Sequence, residues 1–279
     1  MSTEREPGRL FVVSTPIGNM GDFSFRAVEV LKGVGVILAE DTRHSRSLLE
    51  RYAISTAMLA YHEHNEARLT PEIVDRLRAG DDVALISDAG TPLVSDPGAR
   101  LVRAAIEAGI AVIPIPGASA LLAALVASGL DATHFTFFGF LPRRGRERAE
   151  TVAALVDLPH TAIVYEAPTR VSATLAELVE AGAGGRRAAV AREMTKHFEE
   201  IRRGTVSELA AYYKGAPVRG EVAIVIAGGE GVAVTNEQVR QRARELRADG
   251  LSARDAAAAL VEELGVRRNE AYRIVRDLE

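Results

Sequence analysis

The sequence has no cysteine, only three lysines (Lys32, Lys196 and Lys214), and no apolar run approaching the length of a membrane span. Without cysteine there is no disulfide, no thiolate zinc site and no thiol nucleophile. The start, Met1-Ser2-Thr3-Glu4-Arg5, lacks the basic-then-apolar layout of a signal peptide. Together these absences point to the cytoplasm and to no membrane partner. Every remaining cation is arginine, a bias that reads first as GC-rich coding and second as a preference for bidentate phosphate contacts. The net charge of −4 is not the basic footprint of a dedicated nucleic-acid binder. No Gly-x-Gly-x-x-Gly follows the first apolar run, and no Walker lysine is present, so nicotinamide and nucleoside-triphosphate readings lose their main support.

What is present is a chain of 279 residues, 47% apolar, enough for two compact units and an appendage. Short apolar runs alternate with helical periodicity. Leu10–Ser14, Val34–Leu38, Met58–Ala60, Val83–Ser87 and Ala111–Ile115 read as strands, mostly buried on both faces. Strand, helix and strand at this spacing predict a mainly parallel sheet covered on both sides. From Phe135 the pattern restarts, with strands at Thr161–Tyr165, Ala188–Arg192 and Glu221–Ala227, as expected of a second α/β unit. Beyond about 235 only helical periodicity remains: Val239, Ala243 and Leu246, then Ala256, Leu260 and Leu264, then Ala271, Ile274, Val275 and Leu278. Gly250 and Ser252 separate the first two helices and Gly265 turns the second into the third. This tail resembles a helix-turn-helix, with nine arginines against nine acidic residues from Asn236 onward, so its charge does not force nucleic-acid binding. A small packing bundle is the alternative.

In open parallel sheets ligands bind beyond the carboxyl ends of the strands, where strand order reverses. Three Gly- and Pro-containing turns follow strands one, four and five: Thr15-Pro16-Ile17-Gly18-Asn19, Ser87 to Gly98, and Pro116-Gly117-Ala118-Ser119-Ala120. Small, uncharged turns let backbone N–H and C=O groups approach a ligand closely. With Glu40-Asp41-Thr42-Arg43, Tyr61 to Glu66, Tyr165-Glu166-Ala167-Pro168-Thr169-Arg170, Arg192 to Lys196 and Arg219 to Val222, these turns closely resemble the tetrapyrrole methylase superfamily. The likeness runs in register from about Leu10 to Gly228. More narrowly the chain resembles the branch of that superfamily that methylates ribose in ribosomal RNA. Corrin and sirohaem enzymes carry Gly-Asp-Pro where this chain has Gly90-Thr91-Pro92.

The resemblance implies two α/β domains, 1–117 and 118–231, with a cofactor cleft between them, and a helical module at 232–279. It implies S-adenosyl-L-methionine as methyl donor with no metal. Pro16, Ala89, Gly90, Thr91, Val94, Ser119, Ala120, Tyr165 and Met194 would line that cofactor. It further implies a homodimer acting on 16S rRNA of the 30S subunit, at the cytidine usually numbered 1402. A sulfonium methyl is already electrophilic, so such an enzyme needs positioning and a path for the hydroxyl proton. Lys196, Glu193 and Asp41 are the catalytic candidates, with Lys196 a base only if its pKa is lowered. Arg43 and Arg170 are candidates for phosphate contacts, as are Arg143, Arg144 and Arg146 in the most basic stretch of the chain. Glu166 and Arg170 read equally well as a structural ion pair. His62 and His64 lack a third clear ligand, which disfavours a metal site. A corrin or sirohaem precursor C-methyltransferase, and a nucleic-acid-binding regulator with an α/β sensor, are the rival readings.

Overall fold

The computed structural model describes residues 6–215, 217–229, 236–264, 266 and 268–277. Residues through Ala227 form one compact unit holding two five-stranded sheets; Gly228 onward forms another.

The first half alternates as its sequence period requires. In chain order it runs β1 (Leu10–Val13), α1 (Phe25–Gly33), β2 (Val36–Ala39), α2 (Thr42–Arg51), β3 (Met58–Ala60), α3 (Glu66–Arg78), β4 (Val83–Ile86), α4 (Ala99–Glu107) and β5 (Val112–Ile115). The strands lie in the order β3-β2-β4-β1-β5, and every pairing is parallel. Side chains alternate across the pleat. Phe11, Val13, Ile37 and Ala84 therefore pack on α1 and α2 through Ala27, Leu31 and Leu48. Leu10, Leu38, Val83 and Leu85 pack on α3 and α4 through Ile73, Leu77, Leu101 and Ala105. Ser24 and Asp41 cap α1 and α2 by accepting the backbone N–H of Ala27 and Arg43, the usual use of short polar side chains at a helix start.

The second half comprises α5 (Ala120–Ser128), β6 (Phe135–Phe140), α6 (Arg146–Asp157), β7 (Thr161–Glu166), α7 (Val171–Leu178), β8 (Arg187–Arg192), β9 (Glu200–Thr205), α8 (Val206–Tyr213) and β10 (Val222–Ile226). Its sheet is mixed, in the order β6-β7-β10-β8-β9, with only the β6–β7 pairing parallel. Helix α5 covers one face through Leu121, Ala124 and Leu125; α6, α7 and α8 cover the other. The edge strand β9 is absent from the sequence reading. Its residues, Glu200-Ile201-Arg202-Arg203-Gly204-Thr205, carry the charges that keep an exposed edge from pairing further, and charge hides the alternation by which strands are recognised.

The last unit consists of α9 (Asn236–Ala248), α10 (Ala253–Leu264) and α11 (Arg268–Arg276). They close on a core of Val239, Ala243, Leu246, Ala256, Leu260, Ala271, Ile274 and Val275. Gly250, at φ +88°, follows α9, and Ser252 accepts the N–H of Asp255 at the start of α10. The expected turn residue Gly265 and the apolar Leu278 lie outside the described residues.

Candidate functional site

The three turns singled out in the sequence meet. Strand β1 lies between β4 and β5, so the segments leaving their carboxyl ends are neighbours. Thr15 and Gly90 exchange both backbone hydrogen bonds, at 2.8 and 3.1 Å. The Thr91 hydroxyl lies 3.0 Å from that of Ser14 and donates to the Ala118 carbonyl at 3.2 Å. At Gly117 a Cβ would stand 2.9 Å from that of Ser14, so only glycine lets the third turn close on the first.

Above this junction lies a cavity of about 520 Å³ whose wall draws on both sheets. From the first come Ile17, Glu40, Ala89, Gly90, Thr91 and Val94, with Asp88 and Asp96; from the second come Phe140, Tyr165, Ala191 and Met194, with Glu166 and Glu221. Ser119 and Ala120 contribute from the start of α5. Among the described residues the wall holds five carboxylates and no arginine, lysine or histidine. Two of the five are paired with cations off the wall, Glu166 with Arg170 and Glu221 with Lys196. Glu40, Asp88 and Asp96 form no ion pair among the described residues. Burial, then the nearby charges of Glu40 and Asp88, push Asp96 up to about 7, against the favourable Ser87 hydroxyl. Glu40 is also raised, by burial and Asp88, with His62 opposing. Burial pushes the Tyr165 phenol up to about 12, so it stays a neutral hydroxyl. Taking charge out of water disfavours the charged form, and like charges add to that. A ligand that brings positive charge relieves both penalties.

Beside the end of the cavity near β8 and β10, where Met194 and Glu221 line it, lies a clasp of charged side chains. The Lys196 Nζ donates to Glu193 Oε1 at 3.0 Å and Glu221 Oε2 at 3.1 Å, and Glu193 Oε1 also accepts the Glu221 N–H. Burial works against the charge of Lys196, but these hydrogen bonds outweigh it and hold the ammonium above the ordinary lysine value. The same lysine lowers Glu193. Gly18 packs on the clasp, with its missing Cβ 2.4 Å from Lys196 Cγ, and the Asn19 N–H donates to Thr195 Oγ1. Glu193 and Thr195 adopt positive φ, as do Leu93 and Ser95 in the loop after β4. Four non-glycine residues in that region around one cavity is the clustering of backbone strain found at functional sites.

Of the nine residues expected to line a cofactor, eight stand on this wall: Ala89, Gly90, Thr91, Val94, Ser119, Ala120, Tyr165 and Met194. Pro16 is buried and off the wall, and its neighbour Ile17 takes the place. The catalytic candidates are differently placed. Asp41 caps α2 and pairs with Arg43 at 3.0 Å; hydrogen bonds from Arg43 hold it down at about 2, away from the wall. Lys196 and Glu193 belong to the clasp, and the lowered pKa that a lysine base requires is replaced by a raised one. The Arg170 guanidinium, partly exposed, pairs with Glu166 at 2.5 Å and donates to the Leu141 carbonyl. Arg148 joins that buried pair, with contacts to Glu166, Glu177 and Thr174. Arg43, Arg143, Arg144 and Arg146 are exposed, with Arg146 paired to Glu150. His62 is half-buried, its ring 3.2 Å from the Asn65 amide.

Asp96, Asp88 and Phe140 escaped the sequence reading. The available signal for Asp96 was its place in Ser95-Asp96-Pro97-Gly98, an acid at the far end of a ligand-binding turn. Nothing in the sequence marks Phe140 off from the other phenylalanines of Phe135-Thr136-Phe137-Phe138-Gly139-Phe140.

Residues 9–210 match the model of the tetrapyrrole (corrin/porphyrin) methylases. A ribosomal RNA small subunit methyltransferase I from Synechocystis is 44% identical over 275 residues, 98% of this chain and 99% of that one. One of the same name from Pseudomonas aeruginosa is 45% identical, covering 95% of each. Among solved structures, a conserved hypothetical protein from Aeropyrum pernix superposes with a TM-score of 0.64 at 19% identity, over 98% of this chain and 96% of that one. A uroporphyrin-III C-methyl transferase from Thermus thermophilus, complexed with S-adenyl homocysteine, gives 0.56 at 20% identity, over 79% and 97%. These two likenesses speak to the fold. With the family model spanning most of the chain and relatives matching almost all of it, the chain belongs to the tetrapyrrole methylase superfamily and, within it, to the ribosomal RNA small subunit methyltransferase I family.

Proposed function

We propose that this protein transfers a methyl group from S-adenosyl-L-methionine to the 2′-hydroxyl of a cytidine in small-subunit ribosomal RNA, position 1402 in the usual numbering. The observation that carries the reading is the charge of the cavity wall: five carboxylates, three of them unpaired, and no basic side chain. Such a wall suits a cation and repels phosphates. It also opposes the macrocycles of the corrin and sirohaem pathways, which bear many carboxylates and would want arginines. The names of the relatives and the exposed arginines outside the cavity support RNA as the acceptor. Within this reading 16S rRNA in the 30S subunit is the partner, in the cytoplasm, and the enzyme is a homodimer without a metal.

S-adenosyl-L-methionine supplies an electrophilic methyl on a cationic sulfur. Ala89, Gly90, Thr91, Val94, Ser119, Ala120, Tyr165 and Met194 would hold it, with Ile17 replacing Pro16; Glu40, Asp88 and Asp96 would answer its charge. Asp96 is the wall residue that changes charge near neutrality. A cation beside it favours the carboxylate, and loss of that positive charge raises its proton affinity again. Asp96 Oδ is thus the acceptor we assign to the hydroxyl proton, in place of Lys196, Glu193 or Asp41. A general base of this kind contributes ~10²–10⁴-fold in rate.

Incubation with methyl-labelled S-adenosylmethionine and, separately, 30S subunits, free rRNA or uroporphyrinogen tests the reading. Label in a 2′-O-methylated cytidine after nuclease digestion is the expected result. Label in the porphyrin moves the enzyme to the macrocycle branch. Cofactor binding with no transfer leaves the sensor reading.

A further inference from the structure

Phe140 is an aromatic ring placed on the cavity wall yet 57% exposed. A deviation in β6 puts it there. Phe137 pairs with Ile163 of β7, and the next matched pair is Phe140 with Tyr165, so three steps on β6 answer two on β7. Gly139, at φ +65°, supplies the bulge. One extra residue inverts the alternation of a strand. Phe140 therefore comes onto the face of Phe137 and Tyr165, where a regular strand would have turned it away. Its ring lies 5.5 Å from that of Tyr165, tilted by 60°, and Phe137 lies 4.8 Å from Tyr165 on the inner side. The row of three rings, meeting at steep angles, thus ends at the exposed ring of Phe140. Directly after it, Arg143 and Arg144 are exposed, and neither forms an ion pair or hydrogen bond among the described residues.

An open aromatic face followed at once by unpaired arginines is the equipment with which proteins grip single-stranded RNA: the ring stacks a base, and the cations follow the phosphates. We propose that Phe140 stacks on the base of the nucleotide whose ribose is methylated, with Arg143 and Arg144 on the flanking phosphates. The inference rests on the RNA-methylating reading of this cavity. It requires the target base to be unstacked from its neighbours and laid on Phe140. Its ribose then faces the carboxylate end of the same cavity.

The test compares Phe140→Ala, Phe140→Leu and Phe140→Trp on small ribosomal subunits from cells lacking the enzyme. Phe140→Ala should raise the KM for subunits roughly 5- to 150-fold, the range expected for losing one base stack. Binding of S-adenosylhomocysteine by calorimetry should stay within about twofold. Phe140→Trp should restore KM and Phe140→Leu should not, because leucine supplies apolar area without a π-face. Replacing Arg143 and Arg144 by alanine should flatten the dependence of log KM on log salt by roughly 0.7 for each lost phosphate contact. If Phe140→Ala weakens binding of S-adenosylhomocysteine instead, the ring covers the cofactor and the proposal fails. Equal rescue by leucine, or an unchanged KM, overturns it as well. If the wild-type enzyme transfers no label to RNA at all, the underlying reading fails and takes this inference with it.

Discussion

Glu40, Asp88 and Asp96, from the first half, line the cavity with no ion-pair partner among the described residues, whereas Glu166, Glu193 and Glu221, from the second, are each paired. The two halves thus bring similar numbers of carboxylates to one place and treat them in opposite ways. In the second half cations off the wall pair with these carboxylates, among them Glu166, which has no exposed side-chain surface. In the first half no ion pair among the described residues supplies the counter-charge, and Asp96 answers by holding its proton up to about 7. A protein that leaves acids unpaired at a cavity while pairing those beside them reserves the former for a ligand. The contrast separates structure from function where residue type alone does not.

The largest effect should come from the paired half. Glu166 accepts from the Ala167 N–H at 2.8 Å and the Thr174 hydroxyl at 2.6 Å, besides Arg170 and, at 3.7 Å, Arg148. Glu166→Leu removes the only carboxylate on Arg170 among the described residues and strands the Ala167 N–H and Thr174 hydroxyl, while Arg148 keeps Glu177. It should lower stability by about 3 kcal/mol, the low end for broken buried pairs. Thermal melting checks it. A loss below about 1 kcal/mol would place Glu166 with the unpaired acids and erase the contrast.

Asp96→Asn comes next, and here stability and affinity should part. The raised pKa means that the folded state binds the Asp96 proton more tightly than the unfolded chain. Stability from this group is therefore full at low pH and declines as pH climbs from the ordinary aspartate range towards about 7. Asparagine removes that decline, so the variant should melt no lower than wild type at pH 8. Its affinity for S-adenosylmethionine should fall roughly 10- to 100-fold, about 1.4–2.8 kcal/mol, for the loss of one facing charge. In the wild type that affinity should strengthen from pH 6 to pH 8 as the carboxylate forms, and in the variant the slope should flatten. Calorimetry at three pH values reads both. A pH-independent wild-type affinity would show that Asp96 does not face the cation.

The same contrast explains which parts were legible in the sequence. Parallel βα units bury their inner strands on both faces, so β1, β2 and β4 announce themselves as apolar runs. Strand β5, at the edge and only partly buried, is still apolar enough to read, and the turns after β1, β4 and β5 carry Gly and Pro at the points of close approach. From this the meeting of Thr15, Gly90 and Thr91 followed. The mixed second sheet is harder, because β9 earns its place by pairing with β8 and not by its own pattern. Asp41 and Asp96 look alike as letters; the fold makes one a helix cap held down at about 2 and the other a half-buried acid pushed up to about 7. The positive φ of Leu93, Ser95, Glu193 and Thr195 has no glycine to advertise it. Phe140 faces the cavity only because Gly139 shifts the register, a single-residue event invisible to periodicity.

Lys196 provides the finest test, since the sequence offered it as a base and the structure gives it as a clasp. Lys196→Met keeps the stem that packs on Gly18 and deletes only the ammonium. Glu221 is largely exposed and can take water in its place, and Glu193 keeps the Glu221 N–H. The stability cost should then be about 1 kcal/mol, as for a partly solvated pair. The added negative charge at the cavity should leave affinity for a cationic ligand equal or slightly stronger. A clasp also predicts that kcat falls by less than about tenfold, whereas a lysine that takes the hydroxyl proton or faces the developing alkoxide is worth ~10²–10⁴. The split is readable in steady-state kinetics on ribosomal subunits: a kcat loss beyond a hundredfold with unchanged KM would return Lys196 to the chemistry and make the second sheet, like the first, a contributor of reacting groups.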